Sequence, residues 1–139
     1  MLVQQEQIVR SFIEAVYLNS NIEAIREMVD PQCIYHRNND LEQGADSIKL
    51  SHIYRMINQD RLFEDIRYQI DAVTQDGDQI VVRLKRLSKS RAVVRQQKEK
   101  SHENIVFKRM AFKVRDGKIV ELWEKTDVTV DIYSSLATT

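Results

Sequence analysis

The sequence predicts an α+β fold, in which N-terminal helices pack on a curved antiparallel sheet. Apolar residues in the first half recur at helical spacing, whereas those in the second half alternate with polar residues, which is typical of half-buried strands. Two tight turns, Asp76-Gly77 and Asp116-Gly117, separate the alternating segments. Because the helices precede the strands instead of alternating with them, this order favours α+β over a parallel α/β sheet.

Three helices are predicted before Asp60. The first has an apolar stripe at helical spacing that consists of Ile8, Val9, Phe12, Ile13 and Val16. The second is predicted to begin at a capping box formed by Ser20 and Glu23, and to end at Asp30-Pro31, because proline disfavours helical geometry in the residue before it. The third is predicted to bury a face made of Leu50, Ile53, Tyr54 and Ile57.

Strands are predicted for a short apolar segment, Cys33 to Arg37, and for most of the second half of the chain. The long strands are expected over Ile66 to Ala72, Ile80 to Leu87, Ile105 to Arg115 and Lys118 to Val128, with a further short one at Ala92 to Arg95. One face of this sheet should pack on the helices. The other face also needs cover, and a second copy of the chain is the partner that we expect there.

Composition limits the possible functions. The 139 residues carry 21 basic and 21 acidic side chains, so the whole chain has no net charge with which to attract nucleic acid or an anionic membrane. No apolar segment is long enough to cross a bilayer, and the polar N-terminus does not resemble a secretory signal. With one cysteine, Cys33, no internal disulfide is possible. We therefore expect a cytoplasmic protein.

The segment from Arg83 to Lys100 is unusually basic, with eight basic residues and one acidic residue, Glu99. It could bind an anion, an acyl-carrier partner or nucleic acid. It could also be a solvated hairpin whose charge is balanced elsewhere. No aromatic residues are interleaved with its basic ones for stacking on bases, which favours the solvated hairpin.

The order of elements and the motif of the last predicted hairpin resemble a known family. The motif runs Asp116-Gly117-Lys118-Ile119-Val120-Glu121-Leu122-Trp123 and is followed by Asp127. It is similar to the SnoaL-like polyketide cyclases of the nuclear transport factor 2-like superfamily, which also contains ketosteroid isomerase. The resemblance implies one such domain over residues 1–139. It also implies a cone-shaped curved antiparallel sheet packed on three N-terminal helices, with a deep pocket and frequent dimerisation.

Two residues are predicted to be catalytic. In the cyclases that the chain resembles, an aspartate after the tryptophan of the last strand is the acid/base group, and Asp127 holds that position. Because Trp123 and Asp127 are four residues apart, they should share a strand face. In an apolar pocket, desolvation would raise the pKa of Asp127 and suit it to proton transfer. His36 could donate a hydrogen bond to a carbonyl oxygen. The alternatives are an aspartate that faces water and a histidine without a catalytic role.

Further pocket residues are predicted from their side-chain chemistry, since aromatic walls with polar handles suit an apolar ligand. They are Trp123, Tyr54, Asn38, Tyr17 and Phe107, although such aromatic residues are more often simply core. We expect no metal and no cofactor, because the three histidines lack ligand spacing and no phosphate loop or Rossmann glycine pattern occurs.

Two functions remain open from the sequence. One is a cofactor-independent isomerase or cyclase that acts on a small hydrophobic carbonyl compound. The other is a non-catalytic module of the same fold that binds a ligand or a partner protein.

Overall fold

The computed structural model describes residues 2–91 and 100–135. The predicted short strand at Ala92 to Arg95 lies outside these residues. In chain order the elements are α1 (Leu2–Ile13), a π-helical turn (Glu14–Leu18), α2 (Glu23–Met28), β1 (Val29–Arg37), β2 (Asp40–Gln43), α3 (Ala45–Leu62), β3 (Phe63–Asp76), β4 (Gln79–Ser90), β5 (Lys100–Arg115) and β6 (Lys118–Ser135).

The strands in the described part of the chain form one mixed sheet in the order β2-β1-β6-β5-β4-β3. Neighbouring strands are antiparallel except β1 and β6, which run parallel. The sheet is curved and does not close into a barrel. The predicted α+β class is therefore confirmed, with a sheet that is mixed instead of wholly antiparallel.

The sheet has two faces with different surroundings. We call the face that packs against the helices the inner face, and the opposite one the outer face. Alternate residues of β4 and β5, among them Leu84, Met110 and Phe112, are buried on the inner face. Phe112 meets Phe12 of α1 edge to face, with ring centroids 5.9 Å apart. The apolar stripe predicted for α1 is thus part of the core.

Two details of the helices differ from the sequence-based predictions. The predicted capping box is wrong, because α2 has Ile22 at its N-cap with no side-chain hydrogen bond, and Ser20 adopts a left-handed backbone conformation at φ 55°. The buried face of α3 is also not the predicted one. It contains Ala45, Ile48 and His52.

On α3, Leu50, Tyr54 and Ile57 are exposed instead. The physical reason is that the inner side of α3 borders a polar cavity. Hydrophobicity therefore does not mark its buried side. A further difference is β2, which pairs with β1 in a segment predicted to be a loop.

None of the described helices combines the length and the apolar character that crossing a bilayer requires.

Candidate functional site

A cavity of about 480 Å³ lies on the inner face, between α3, the π-turn and strands β3 and β5. This volume is in the usual range for small-molecule sites. Its apolar lining consists of Val16, Leu18, Met56 and Ile66. Its polar and aromatic lining consists of Tyr17, Ser20, His52, Arg55, Gln59, Asp60, Arg67, Tyr68 and Lys108. The cavity therefore joins apolar walls to a concentrated set of hydrogen-bond donors.

The π-turn places Tyr17 in this cavity. Such turns insert an extra residue into a helix and are frequent at functional sites. The Tyr17 hydroxyl donates to Oε1 of Glu124 on β6 at 3.0 Å, and the Tyr35 hydroxyl of β1 donates to the same oxygen at 2.9 Å. Burial and the nearby Glu124 carboxylate raise the pKa of both tyrosines, so both hydroxyls stay protonated.

Glu124 is the buried acid behind the cavity, with only 4% of its side chain exposed. Its Oε2 lies 3.4 Å from Nζ of Lys108, which is itself buried on β5. Burial alone would raise the pKa of this carboxyl, but the Lys108 and Arg55 cations and the Tyr35 hydroxyl lower it to about 2. Glu124 is therefore ionised. Burial lowers the pKa of Lys108, while the Glu124 carboxylate opposes that effect.

His52 of α3 is a buried neutral histidine at the cavity wall. Burial, together with the charge of Arg55, lowers its pKa to about 4. Its ring meets Tyr17 edge to face, with centroids 5.2 Å apart. Arg55 Nη2 lies 3.4 Å from His52 Nδ1, and because arginine only donates, Nδ1 is assigned as the acceptor. The proton of the neutral ring is then on Nε2, which makes His52 a hydrogen-bond donor.

Arg55 is half-buried and lines the same cavity. Its Nη1 donates to Ser51 Oγ at 3.0 Å, and its guanidinium lies 5.3 Å from the centre of the Tyr35 ring. Within residues 2–91 and 100–135, no carboxylate oxygen lies within 4.0 Å of it. By contrast, Lys108 has Glu124 as its counter-ion. Among the described cations that line the cavity, Arg55 is therefore the one that has no acid within ion-pair distance.

Three of the residues predicted for the pocket lie together on the outer face instead. His36, Asn38 and Trp123 line a groove of about 660 Å³. The His36 ring stacks on Trp123 at 5.1 Å with an interplanar angle of 6°, and its Nε2 lies 2.7 Å from Oε2 of Glu121. The sequence therefore identified residues that meet in space, but on the side of the sheet away from the helices.

The remaining predicted residues are distributed differently. Tyr17 lines the cavity as expected. Phe107 lies under the Arg83 guanidinium, 4.5 Å from its ring centre, and pairs with Val128 on the outer face. Tyr54 is 62% exposed on α3. These locations do not test whether the residues catalyse a reaction or bind a ligand. Their catalytic and binding roles therefore stay predictions.

Asp127 is predicted to lie in an apolar pocket. In the structure it is exposed and does not line the cavity. It lies at a bulge in β6, where the register shifts between the partners Phe107 and Lys108. Among the residues of β6 that reach the inner face are Leu122 and Glu124, opposite Phe112 and Met110. Trp123 points the other way, and its position does not mark the concave side.

Sequence reasoning missed His52, Arg55, Tyr68 and Lys108, which line the cavity, and Glu124, which lies behind its wall. A signal was present for two of them. Lys108 occupies an inward position between Val106 and Met110, and Glu124 continues the inward alternation of Leu122. A charge at an alternation position that should be buried indicates a functional or paired group. No comparable pattern marks His52 or Arg55 on a helix whose inner side is polar.

In the described ranges, no group of three or more His, Cys, Asp or Glu side chains is arranged to hold a metal ion.

A curved open sheet that encloses a cavity with its helices defines the nuclear transport factor 2-like, ketosteroid isomerase-like class of proteins. The family model for SnoaL-like polyketide cyclases matches residues 7–130, and the chain belongs to that family. A comparison with curated proteins found no match.

Solved structures of the same fold share little sequence with this chain. A candidate SnoaL-like polyketide cyclase from Jannaschia sp. CCS1 is 17% identical, with a TM-score of 0.68 over 90% of this chain and 86% of that one. An LEH-like epoxide hydrolase from M. tuberculosis is 12% identical, with a TM-score of 0.64 over 90% and 79%. TerC, co-crystallised with polyporic acid, is 19% identical, with a TM-score of 0.63 over 89% and 91%. At these identities the likeness shows the fold alone.

Proposed function

We propose that the inner cavity binds a small hydrophobic carbonyl compound, and that the protein is a cofactor-independent isomerase or cyclase. The observation that carries this proposal is the presence of a buried ammonium, Lys108, and a neutral donor, His52, in one cavity with apolar walls. Membership of the SnoaL-like family supports the same reaction class.

The residues of the cavity would stabilise the negative charge that develops on the carbonyl oxygen of the ligand. When a carbonyl compound enolises or accepts a carbon nucleophile, negative charge develops on its oxygen. Fixed donors in a water-poor site stabilise that charge more strongly than water does. Lys108 would donate a charge-assisted hydrogen bond or a proton to this oxygen, and Nε2–H of the neutral His52 would donate a second bond.

Glu124 and the two tyrosines are positioning residues in this mechanism. Glu124 does not line the cavity, but it lies 3.4 Å from the Lys108 ammonium and accepts hydrogen bonds from Tyr17 and Tyr35. Its low pKa keeps it charged, so it fixes the position of Lys108 without taking its proton.

The second candidate is a non-catalytic binding module, and one observation favours it. Among the described lining residues the single carboxylate is that of Asp60, which is exposed. No buried carboxylate therefore borders the cavity to remove a proton from carbon. A binding module needs no such group, whereas an enzyme of this kind would require water or a basic group of the substrate to accept the proton.

Catalysed hydrogen–deuterium exchange separates the two candidates. The probe is a panel of aromatic 1,3-diketones, and exchange at the carbon between the carbonyls is followed by NMR. If the cavity is catalytic, the protein accelerates exchange, and Lys108→Met and His52→Gln each reduce it by about 100-fold or more. Circular dichroism checks that each variant folds.

Asp127→Asn is the competing test. If this variant loses exchange while His52→Gln keeps it, the chemistry is located at the exposed bulge of β6 and the cavity assignment is wrong. If the protein binds diketones or polyporic acid, the ligand of TerC, but accelerates nothing, it is a binding module.

We further propose that the protein is a cytoplasmic homodimer, joined through the outer face. Val128, Val130 and Ile132 are exposed there in a row on β6. A row of exposed apolar residues is typical of an interaction surface. Light scattering coupled to size exclusion should give twice the chain mass, and Val130→Lys should give a monomer. A monomeric wild-type protein at micromolar concentration would overturn this part.

A further inference from the structure

We infer that the natural ligand of the cavity is an organic anion, with a carboxylate or an acidic enol that pairs with Arg55. This inference rests on the proposed use of the cavity as a small-molecule site, and it narrows the class of compound. It follows from two cations on the inner face, Arg55 and Arg86, which form no ion pair with an acid in the described part of the chain.

Arg55 is the first of these charges. Its hydrogen-bonding partners are the Ser51 hydroxyl and Nδ1 of His52, which are both uncharged. The distance from Nη2 to Nδ1 is 3.4 Å, so this bond is weak. A guanidinium presents five donors in a fork that matches a carboxylate, and the two contacts to Ser51 and His52 leave donors for a ligand.

Arg86 on β4 is the second charge. Only 8% of this residue is exposed, and its guanidinium lies over the Phe63 ring at 4.8 Å. Its Nη2 donates to the neutral amide oxygen of Asn104 at 3.2 Å, while Nε has no hydrogen-bond partner in the described part of the chain. Arg86 does not line the cavity. It contributes positive potential from behind the wall, and it influences the titration of both Tyr68 and Lys108, which do line the cavity.

The buried acids do not balance these cations. Glu124 neutralises Lys108, at 3.4 Å. Four further charged groups lie nearby. Arg37 lies 3.6 Å from Glu124, and Oε2 of Glu42 is buried without a hydrogen bond in the described ranges. Arg67 pairs with Glu103, and Asp60 lines the cavity but is exposed. Glu124 and Glu42 also raise the pKa of Arg55, but neither carboxylate lies within ion-pair distance of it. Counted together, the four cations Lys108, Arg37, Arg55 and Arg86 outnumber the three acids Glu124, Glu42 and Asp60. Arg55 and Arg86 therefore leave an excess of positive charge around the cavity.

A charge that is partly removed from water and has no direct counter-ion is costly, and an anion bound at Arg55 would lower that cost. The apolar walls formed by Val16, Met56 and Ile66 would hold the body of the ligand. The chemistry that fits both features is an aromatic or alicyclic body with one acidic group. A neutral ligand of the same shape would contact the apolar walls but would leave the charge of Arg55 unpaired.

A purely structural role is the alternative for Arg55. Its guanidinium packs on the Tyr35 ring and stabilises the ionised form of Glu124. In that case, replacing Arg55 would lower stability without changing which ligands bind. A purely structural role of Arg55 would not affect the selectivity between a charged and an uncharged ligand of the same shape. Selectivity is therefore the measurement that distinguishes a structural role from a binding role.

The experiment compares 2-naphthoate with 2-naphthamide, which has the same shape and no charge, by isothermal titration calorimetry at pH 7. The wild-type protein should bind the carboxylate at least about 10-fold more tightly than the amide, as expected for a charge-assisted hydrogen bond in a partly buried site. Arg55→Gln should bring the ratio of the two affinities close to one. Arg55→Lys, which keeps the charge but not the fork, should give an intermediate ratio.

Arg67→Gln is the matched control, because Arg67 also lines the cavity but already pairs with Glu103 at 2.8 Å. It should leave the ratio unchanged. Equal binding of both probes by the wild-type protein, or an unchanged ratio in Arg55→Gln, overturns the anion inference and leaves the cavity site intact. Binding of neither probe overturns both. If the protein prefers the carboxylate but does not accelerate hydrogen–deuterium exchange of the diketones, this inference is supported and the proposed catalytic activity is overturned.

Discussion

The inner and outer faces of the sheet carry two similar sets of side chains. On the outer face, Glu121 contacts His36 at 2.7 Å, and His36 stacks on Trp123. On the inner face, Glu124 pairs with Lys108 beside Tyr17. Each set joins an acid, a basic group and an aromatic ring. The difference is solvent access, because 24% of the Glu121 side chain is exposed but only 4% of that of Glu124.

This difference makes the inner set the stronger candidate for the proposed chemistry. Water screens an exposed pair and competes for its hydrogen bonds, so the pair contributes little energy and gains little reactivity. In the buried set the same Coulomb interactions act in a medium of lower effective dielectric constant. The pKa values reflect this, since that of Glu124 is lowered to about 2 and that of His52 to about 4.

Neutralising each glutamate in turn should give the largest contrast in stability. Glu124→Gln removes the counter-ion of a buried ammonium, and breaking such a pair costs about 4 kcal/mol of unfolding free energy. Glu121→Gln removes one partner of a half-exposed pair and should cost less than about 1 kcal/mol. Urea denaturation of both variants measures the two values. Equal losses would mean that solvent access does not separate the two faces.

Acid should destabilise the protein through the inner face. The pKa of His52 is about 4 in the folded protein and 6.5 in its ordinary state, so between these values the unfolded chain binds a proton that the folded one does not. The unfolding free energy should therefore fall as pH decreases from about 6.5 to about 4, by on the order of 3 kcal/mol. Denaturation at a series of pH values measures this slope.

Below pH 4.5 the loss should continue for a second reason. The folded-state pKa of Glu124 is lowered to about 2, so its contribution is present above 4.5 and disappears as pH falls through about 2. His52→Gln serves as the control, because it should flatten the first part of the curve and leave the second. A slope that is unchanged in this variant would place the acid sensitivity elsewhere.

The comparison also shows why the fold was easier to predict than the site. Hydrophobic periodicity and two Asp-Gly turns are local signals, and they located the helices and the long strands. Which face of a strand is concave depends on where the helices pack. The sequence of the strand alone does not reveal where they pack. Trp123 and Glu124 are neighbours in sequence, yet only Glu124 reaches the inner side.

The helix α3 shows the same limit more strongly. Its apolar stripe of Leu50, Tyr54 and Ile57 is exposed, whereas its inner side includes the polar residues His52 and Arg55. Pattern reasoning assigns the apolar side to the core, which holds when the core is apolar. Beside a polar cavity the rule selects the wrong side. The exposed apolar side of α3 is therefore itself an indication that this helix borders a polar cavity.

The smallest effect is expected from the outer stack. His36→Gln removes the ring that lies on Trp123 and the contact to Glu121, and it should lower the unfolding free energy by only about 0.5 to 1 kcal/mol, since the group is half exposed. Binding of 2-naphthoate in the inner cavity should be unchanged in calorimetry, because the β-sheet separates the two sites. A loss of ligand binding in His36→Gln would show that the outer groove belongs to the functional site, and the division between the faces would then have to be abandoned.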